Sequence, residues 1–239
     1  MTRLAIAALT LGLPFVVAAA EPASAPAIVL MTRRSEATPV RSGCTFVGGG
    51  TIDVQQPTAD VVVVTMTGAV LATAHPCGSA ATLAFDLAQD FEVVCPAGVR
   101  AARLTAEAQA VGLLRGGRTA AAAATDGCVT VTVGGAPVLS IAVPDRAVSG
   151  PDNLTINDRT GPEGVVVGPG PCVLHARWLL SAAHPKGCRG KAASAEFAPE
   201  PALESPWVGS PRDPFHGVGK KDFGLRVMLR VAAEPPAVE

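Results

Sequence analysis

Apolar and polar residues alternate one for one through several stretches of this chain, and only a β-strand puts a period of two on a single face. Within Cys172–Leu180, the residues Leu174, Ala176, Trp178 and Leu180 share one side, while His175 and Arg177 share the other. Phe223–Val231 repeats the pattern, with Phe223, Leu225, Val227, Leu229 and Val231 inward and Arg226 and Arg230 outward. In Cys128–Val133, Val129, Val131 and Val133 oppose Thr130 and Thr132, and Gly134-Gly135 then turns the chain into Val138–Val143. The valine run of Val61–Thr67 suits a strand buried on both faces. Two hairpins are expected besides. One joins Cys44–Val47 to Thr51–Val54 through Gly48-Gly49-Gly50, and the other joins Ala81–Leu87 to Phe91–Cys95 through a short polar turn.

Val99–Leu114 is contested between helix and strand. Arg103 and Glu107 sit four apart and alanine favours helix. Yet Leu104, Ala106, Ala108 and Ala110 alternate with Arg103, Thr105, Glu107 and Gln109, which is a strand period. Arginine outnumbers lysine, tyrosine is absent, and Ala, Gly, Val and Pro dominate. That is the bias of a high-GC bacterial genome, so alanine argues only weakly for helix. The fold expected is an all-β antiparallel sandwich with disulfides. Two segments read as irregular: Pro144–Gly164, crowded with Asp, Asn, Gly and Pro, and the proline-rich Glu196–Gly219.

The domain reading is a signal peptide over 1–20, a flexible linker over 21–42, and a β-sandwich region over 43–239. A second reading splits that region into similar halves, 43–144 and 145–239. Its support is a recurrence: Gly43-Cys44 and Gly127-Cys128 each precede a glycine turn, and Ala74-His75-Pro76 recurs as Ala183-His184-Pro185.

Residues 1–20 have the layout of a secretory leader: Arg3, an apolar core over Leu4–Val17, and Ala18-Ala19-Ala20 before Glu21. The apolar run is short for a membrane span, and no span is expected in the mature chain. A secreted or periplasmic address follows, where thiols oxidise. The six cysteines are therefore expected to pair. The hairpin reading would set Cys77 beside Cys95 and Cys172 beside Cys188, leaving Cys44 with Cys128.

Acids and bases are interspersed and the net charge is −1, which argues against nucleic acid or anionic lipid as partner. No CxxC, H-E-x-x-H or G-x-S-x-G motif occurs, so neither a cofactor nor catalysis is expected. Three groups are ligand candidates. His75 and His184 could share a site if the Ala-His-Pro copies lie together. Asp152, Asn157 and Asp158 carry oxygens that a calcium ion would accept, although Asp and Asn are also ordinary turn residues. Trp207, in a stretch with Arg212, Phe215 and His216, could stack on a sugar ring or plug the sandwich. The first functional reading is a secreted, non-enzymatic β-sandwich with a structural or adhesive role and an extracellular or cell-surface partner. The alternatives are a carbohydrate- or calcium-binding module, and a hydrolase with a site at His75 or His184.

Overall fold

The computed structural model describes residues 25–117, 121–187, 191–197 and 224–234. They contain eleven strands and no helix: β1 (Ala27–Ser42), β2 (Thr45–Thr58), β3 (Val61–Ala72), β4 (Ser79–Val94), β5 (Ala102–Arg115), β6 (Ala122–Val133), β7 (Ala136–Ser149), β8 (Asn153–Val167), β9 (Gly170–His184), β10 (Ala193–Phe197) and β11 (Gly224–Ala233). The first sheet has the order β1-β4-β9-β6-β7. In the second, β2 pairs β3, both β10 and β11 lie between β3 and β5, and β8 follows β5. All pairings are antiparallel, and one apolar core lies between the sheets.

The period of two governs what is buried. Cys172, Leu174, Ala176, Trp178, Leu180 and Ala182 of β9 line the core, as do Leu225, Val227, Leu229 and Val231 of β11. In β5, Leu104, Ala106, Ala108 and Ala110 point inward, so periodicity overrides alanine's helix propensity. Those small side chains leave room for bulky ones. Trp178 stacks on Phe85 with centroids 5.1 Å apart and meets Phe197 edge-on at 5.0 Å. Its indole N–H donates to the Thr125 hydroxyl at 2.7 Å, so the buried ring keeps its polar atom satisfied.

Several expectations are corrected. The segment 21–42 is not a linker over most of its length, because residues 27–42 form β1 along the whole of β4. As an edge strand β1 tolerates Pro39, and Arg33, Arg34, Glu36 and Arg41 line it, charges that discourage pairing with another chain. The Ala81–Cys95 hairpin is one unbroken strand, β4, and Gln89 explains why. This side chain is 2% exposed and donates to the carbonyls of Met31 and Thr32 at 3.4 and 3.3 Å, where β1 slips register between Leu30 and Arg33. The polar residue that suggests a turn thus satisfies backbone groups that a β-bulge sets free. Gly48-Gly49-Gly50 likewise does not turn the chain. It lies within β2, which slips register between Gly49 and Thr51, and Gly50 takes φ +89°. Pro144–Gly164 is not irregular either: it runs through β7 and β8, joined by a turn at Gly150. Residue 144 lies within β7, and each sheet mixes strands from before and after it.

The central lane of the second sheet is built from two strands laid end to end. On β5, Glu196 faces Leu113 and Gly224 faces Val111, which puts Phe197 level with Gly112. On β3, Phe197 faces Gly68 and Leu225 faces Met66. Phe197 and Gly224 therefore hold consecutive register positions. The facing is continuous too, since Ala193, Ala195 and Phe197 point inward and Leu225 takes up the alternation. The register carries on from Phe197 to Gly224 as though the two were consecutive.

Candidate functional site

Both Ala-His-Pro copies, with Cys44 and Cys77, come together at one end of the two sheets. There the chain crosses between sheets twice, from β1 to β2 through Gly43-Cys44 and from β3 to β4 through residues 73–78. The Cys44 carbonyl accepts the Thr73 N–H at 3.0 Å and the Thr73 hydroxyl at 2.9 Å. The Ser79 hydroxyl donates to the Thr73 carbonyl. Gly43, with φ +68°, lies so close to Gly78 that a Cβ there would come within 2.3 Å of the Gly78 carbonyl oxygen. Only glycine fits that contact.

The two Ala-His-Pro copies both occupy this corner. His75-Pro76-Cys77-Gly78 forms a turn closed by the Gly78 N–H on the His75 carbonyl at 2.9 Å, with proline in its favoured second place. His184-Pro185-Lys186-Gly187 ends β9, and Gly187 has φ +73°, as Gly78 has +81°. The turns are packed together, because a Cβ on Gly78 would lie 3.1 Å from the Lys186 nitrogen and 3.4 Å from the His184 carbonyl oxygen. The recurrence thus marks two neighbouring turns. The other recurrence falls on unlike positions, with Cys44 at a crossover and Cys128 inside β6.

The histidines themselves differ. His75 Nδ1 accepts the Cys77 N–H at 3.2 Å, which fixes its remaining proton on Nε2 and turns the ring into its own turn. His184 is 1% exposed; its Nδ1 lies 3.3 Å from the Pro185 carbonyl, and its Nε2 has no hydrogen-bond partner among the described residues. A buried polar atom left unpaired costs about 1–3 kcal/mol. Replacing His184 by leucine is therefore expected to raise stability by about 1 kcal/mol in urea unfolding, whereas a large loss would show that the imidazole holds a partner.

The calcium candidates do not converge. Asp152 lies six positions from Asp158, roughly 20 Å along an extended chain, and neighbours Asn157 and Asp158 point to opposite faces of β8. Asp158 pairs with Arg146 at 2.9 Å, Asn157 accepts from Gln109 at 3.1 Å, and the Asp152 carbonyl accepts the Gly116 N–H at 2.8 Å. These groups brace β5, β7 and β8. Among the described residues no three His, Cys, Asp or Glu side chains form a group that could hold a metal ion.

The pairings of Cys77 with Cys95 and of Cys44 with Cys128 do not fit the strand layout. Cys77 and Cys95 flank the two ends of β4, a strand of 16 residues spanning roughly 50 Å. Cys44 sits at the crossover, next to the Gly43 that packs on Ser79, whereas Cys128 faces Arg177, itself opposite Asp86, roughly 20 Å further along the sheet. Cys188 and Trp207 lie outside the described residues. All five described cysteines, Cys44, Cys77, Cys95, Cys128 and Cys172, are free. Burial pushes the Cys172 thiol up, away from the reactive thiolate.

One polar group escaped the sequence reading. Ser194 and Glu196 are 1% and 4% exposed although they face away from the core, and the Ser194 hydroxyl donates to Glu196 Oε1 at 2.5 Å. Arg115 Nε lies 3.6 Å from the same oxygen. The i, i+2 spacing was the available signal, but the surrounding proline-rich sequence masked a strand of five residues.

No helix among the described residues is long and apolar enough to cross a membrane. No known family matches the chain, and no curated protein matches it.

Proposed function

We propose that the chain is an exported, non-enzymatic β-sandwich with a structural or adhesive role, whose cysteines oxidise after export and whose interaction is carried by residues 198–223. The observation that supports this is the seam at Phe197 and Gly224. A strand at the centre of a sheet is the costliest place to interrupt, since both neighbours depend on its hydrogen bonds. This lane keeps register and facing across the interruption. The division of labour suits a rigid scaffold that carries a separate segment, a common arrangement for binding sequences. The segment holds Trp207, Arg212, Phe215 and His216, residue types enriched where proteins meet partners. Trp207 is also what favours the second reading, a module that binds carbohydrate.

Joining Phe197 directly to Gly224 tests both parts. The shortened chain is expected to keep its far-UV circular dichroism and to melt within about 3 °C of the intact protein, because no lane contact is lost. Beads coated with it should lose the adhesion to peptidoglycan and to immobilised glycans that the intact chain confers. Equal adhesion by both forms would remove the segment from the function, and an unfolded product would overturn the continuous lane. A Trp207→Ala variant that loses glycan adhesion alone would select the carbohydrate reading.

A further inference from the structure

We infer that Cys44 and Cys77 are partners in a disulfide that ties the β1–β2 crossover to the β3–β4 crossover. The two crossovers run side by side at one end of the sandwich, held by the Thr73 bonds to the Cys44 carbonyl and by the close contact of Gly43 with Gly78 and Ser79. Cys44 follows one glycine of that contact and Cys77 precedes the other. Ser42 is in register with Ala80, and a Cβ on Gly43 would lie 3.0 Å from the Ser79 Cα, so the antiparallel approach persists beyond the last β1–β4 pair. Continued by one residue, it brings Cys44 level with Gly78, beside Cys77. In the structure both thiols are free, and a shift of the exposed Pro76-Cys77 turn is what would bring them to the Cα separation of roughly 4.4–6.8 Å that a disulfide takes. Both cysteines are exposed and open to an oxidant. The other described cysteines are elsewhere: Cys95 follows the far end of β4, Cys172 lies near the start of β9, and Cys128 sits inside β6.

The reaction is thiol–disulfide exchange with a small-molecule disulfide. A Cys77 or Cys44 thiolate attacks it and releases one thiolate, and the second cysteine then displaces the other. Two protein thiols are oxidised to one S–S bond, the external disulfide is reduced to two thiols, and the protein's two protons pass to them. The inference rests on the exported reading only for the source of the oxidant in the cell.

The test is to incubate the purified full chain with oxidised glutathione and block remaining thiols with iodoacetamide. Cleavage before Asp53, Asp60, Asp86 and Asp90 puts Cys44, Cys77 and Cys95 on separate peptides for mass spectrometry. The expected result is a linked Cys44–Cys77 peptide pair, with a melting temperature raised by about 10 °C over the dithiothreitol-treated chain, a rise that Cys77→Ser and Cys44→Ser each abolish. Alkylation of both cysteines, or linkage of either to Cys188 or any other cysteine, would overturn the pairing. A bridge formed with glutathione but absent from chain recovered from cells would uphold the pairing and remove the exported reading.

Discussion

Substituting Trp178 by alanine is expected to destabilise the protein by roughly 4 kcal/mol, enough to lower the melting temperature by about 10 °C or more. Three losses add up. The indole is 1% exposed and is one of the largest side chains in the core, so its removal leaves a cavity that close-packed neighbours fill only in part. Its faces and edges are in contact with Phe85 from one neighbouring strand and Phe197 from the opposite sheet. The Thr125 hydroxyl, 1% exposed as a residue, loses its donor. Chemical denaturation of Trp178→Ala and Trp178→Phe separates these terms: phenylalanine should recover most of the packing but not the hydrogen bond. A loss below about 1 kcal/mol for alanine would mean that the aromatic cluster does not hold the sheets together.

The second large effect comes from adding one carbon. Gly112→Ala would place a Cβ 2.3 Å from Phe197 Cδ1, with two further ring atoms at 2.6 Å. Phe197 cannot simply swing away, because Trp178 lies against it and Phe85 backs Trp178, while a Cβ on Gly68 would come within 2.7 Å of Phe85. Overpacking of this sort typically costs about 1–3 kcal/mol, and the enclosed geometry puts Gly112→Ala at the upper end. The diagnostic measurement is a double-mutant cycle. In a Phe197→Ala background the same change should be nearly neutral, giving a coupling energy of about 2 kcal/mol; additive losses would place the strain elsewhere.

The strands that were legible in the sequence are those whose two faces differ. β9, β11, β6 and β5 alternate cleanly, and the period alone assigns them even where alanine composition favours helix. Misreadings arose where a residue's partner is remote in sequence. Gln89 interrupts an apolar run and resembles a turn until the bulge at Met31-Thr32, far back in the chain, supplies its acceptors. Gly68 and Gly112 have no turn to make; their signal is the aromatic rings that fill their missing side chains. β10 was hidden because five residues flanked by prolines carry too little periodicity, and its lane is visible only through registers on β3 and β5. The Cys77–Cys95 pairing failed with its hairpin: it assumed that nearness in sequence meant a fold back, whereas β4 runs the length of the sheet. Of the candidate site, the Ala-His-Pro recurrence was visible as a repeat, but that its two copies pack against each other depends on β4 and β9 being neighbours.

The seam at Phe197 and Gly224 also bears on how this molecule can vary. A loop at a strand end sets the spacing of the elements it joins, so changing its length alters geometry on both sides. Here the entry and exit points occupy adjacent rungs, and the flanking bonds to β3 and β5 are indifferent to how much chain lies between them. A change in the number of residues between Phe197 and Gly224 is therefore expected to leave the pairing on β3 and β5 in place. Mid-sheet, where substitution is ordinarily least tolerated, the molecule thus has a point at which chain length is decoupled from sheet geometry.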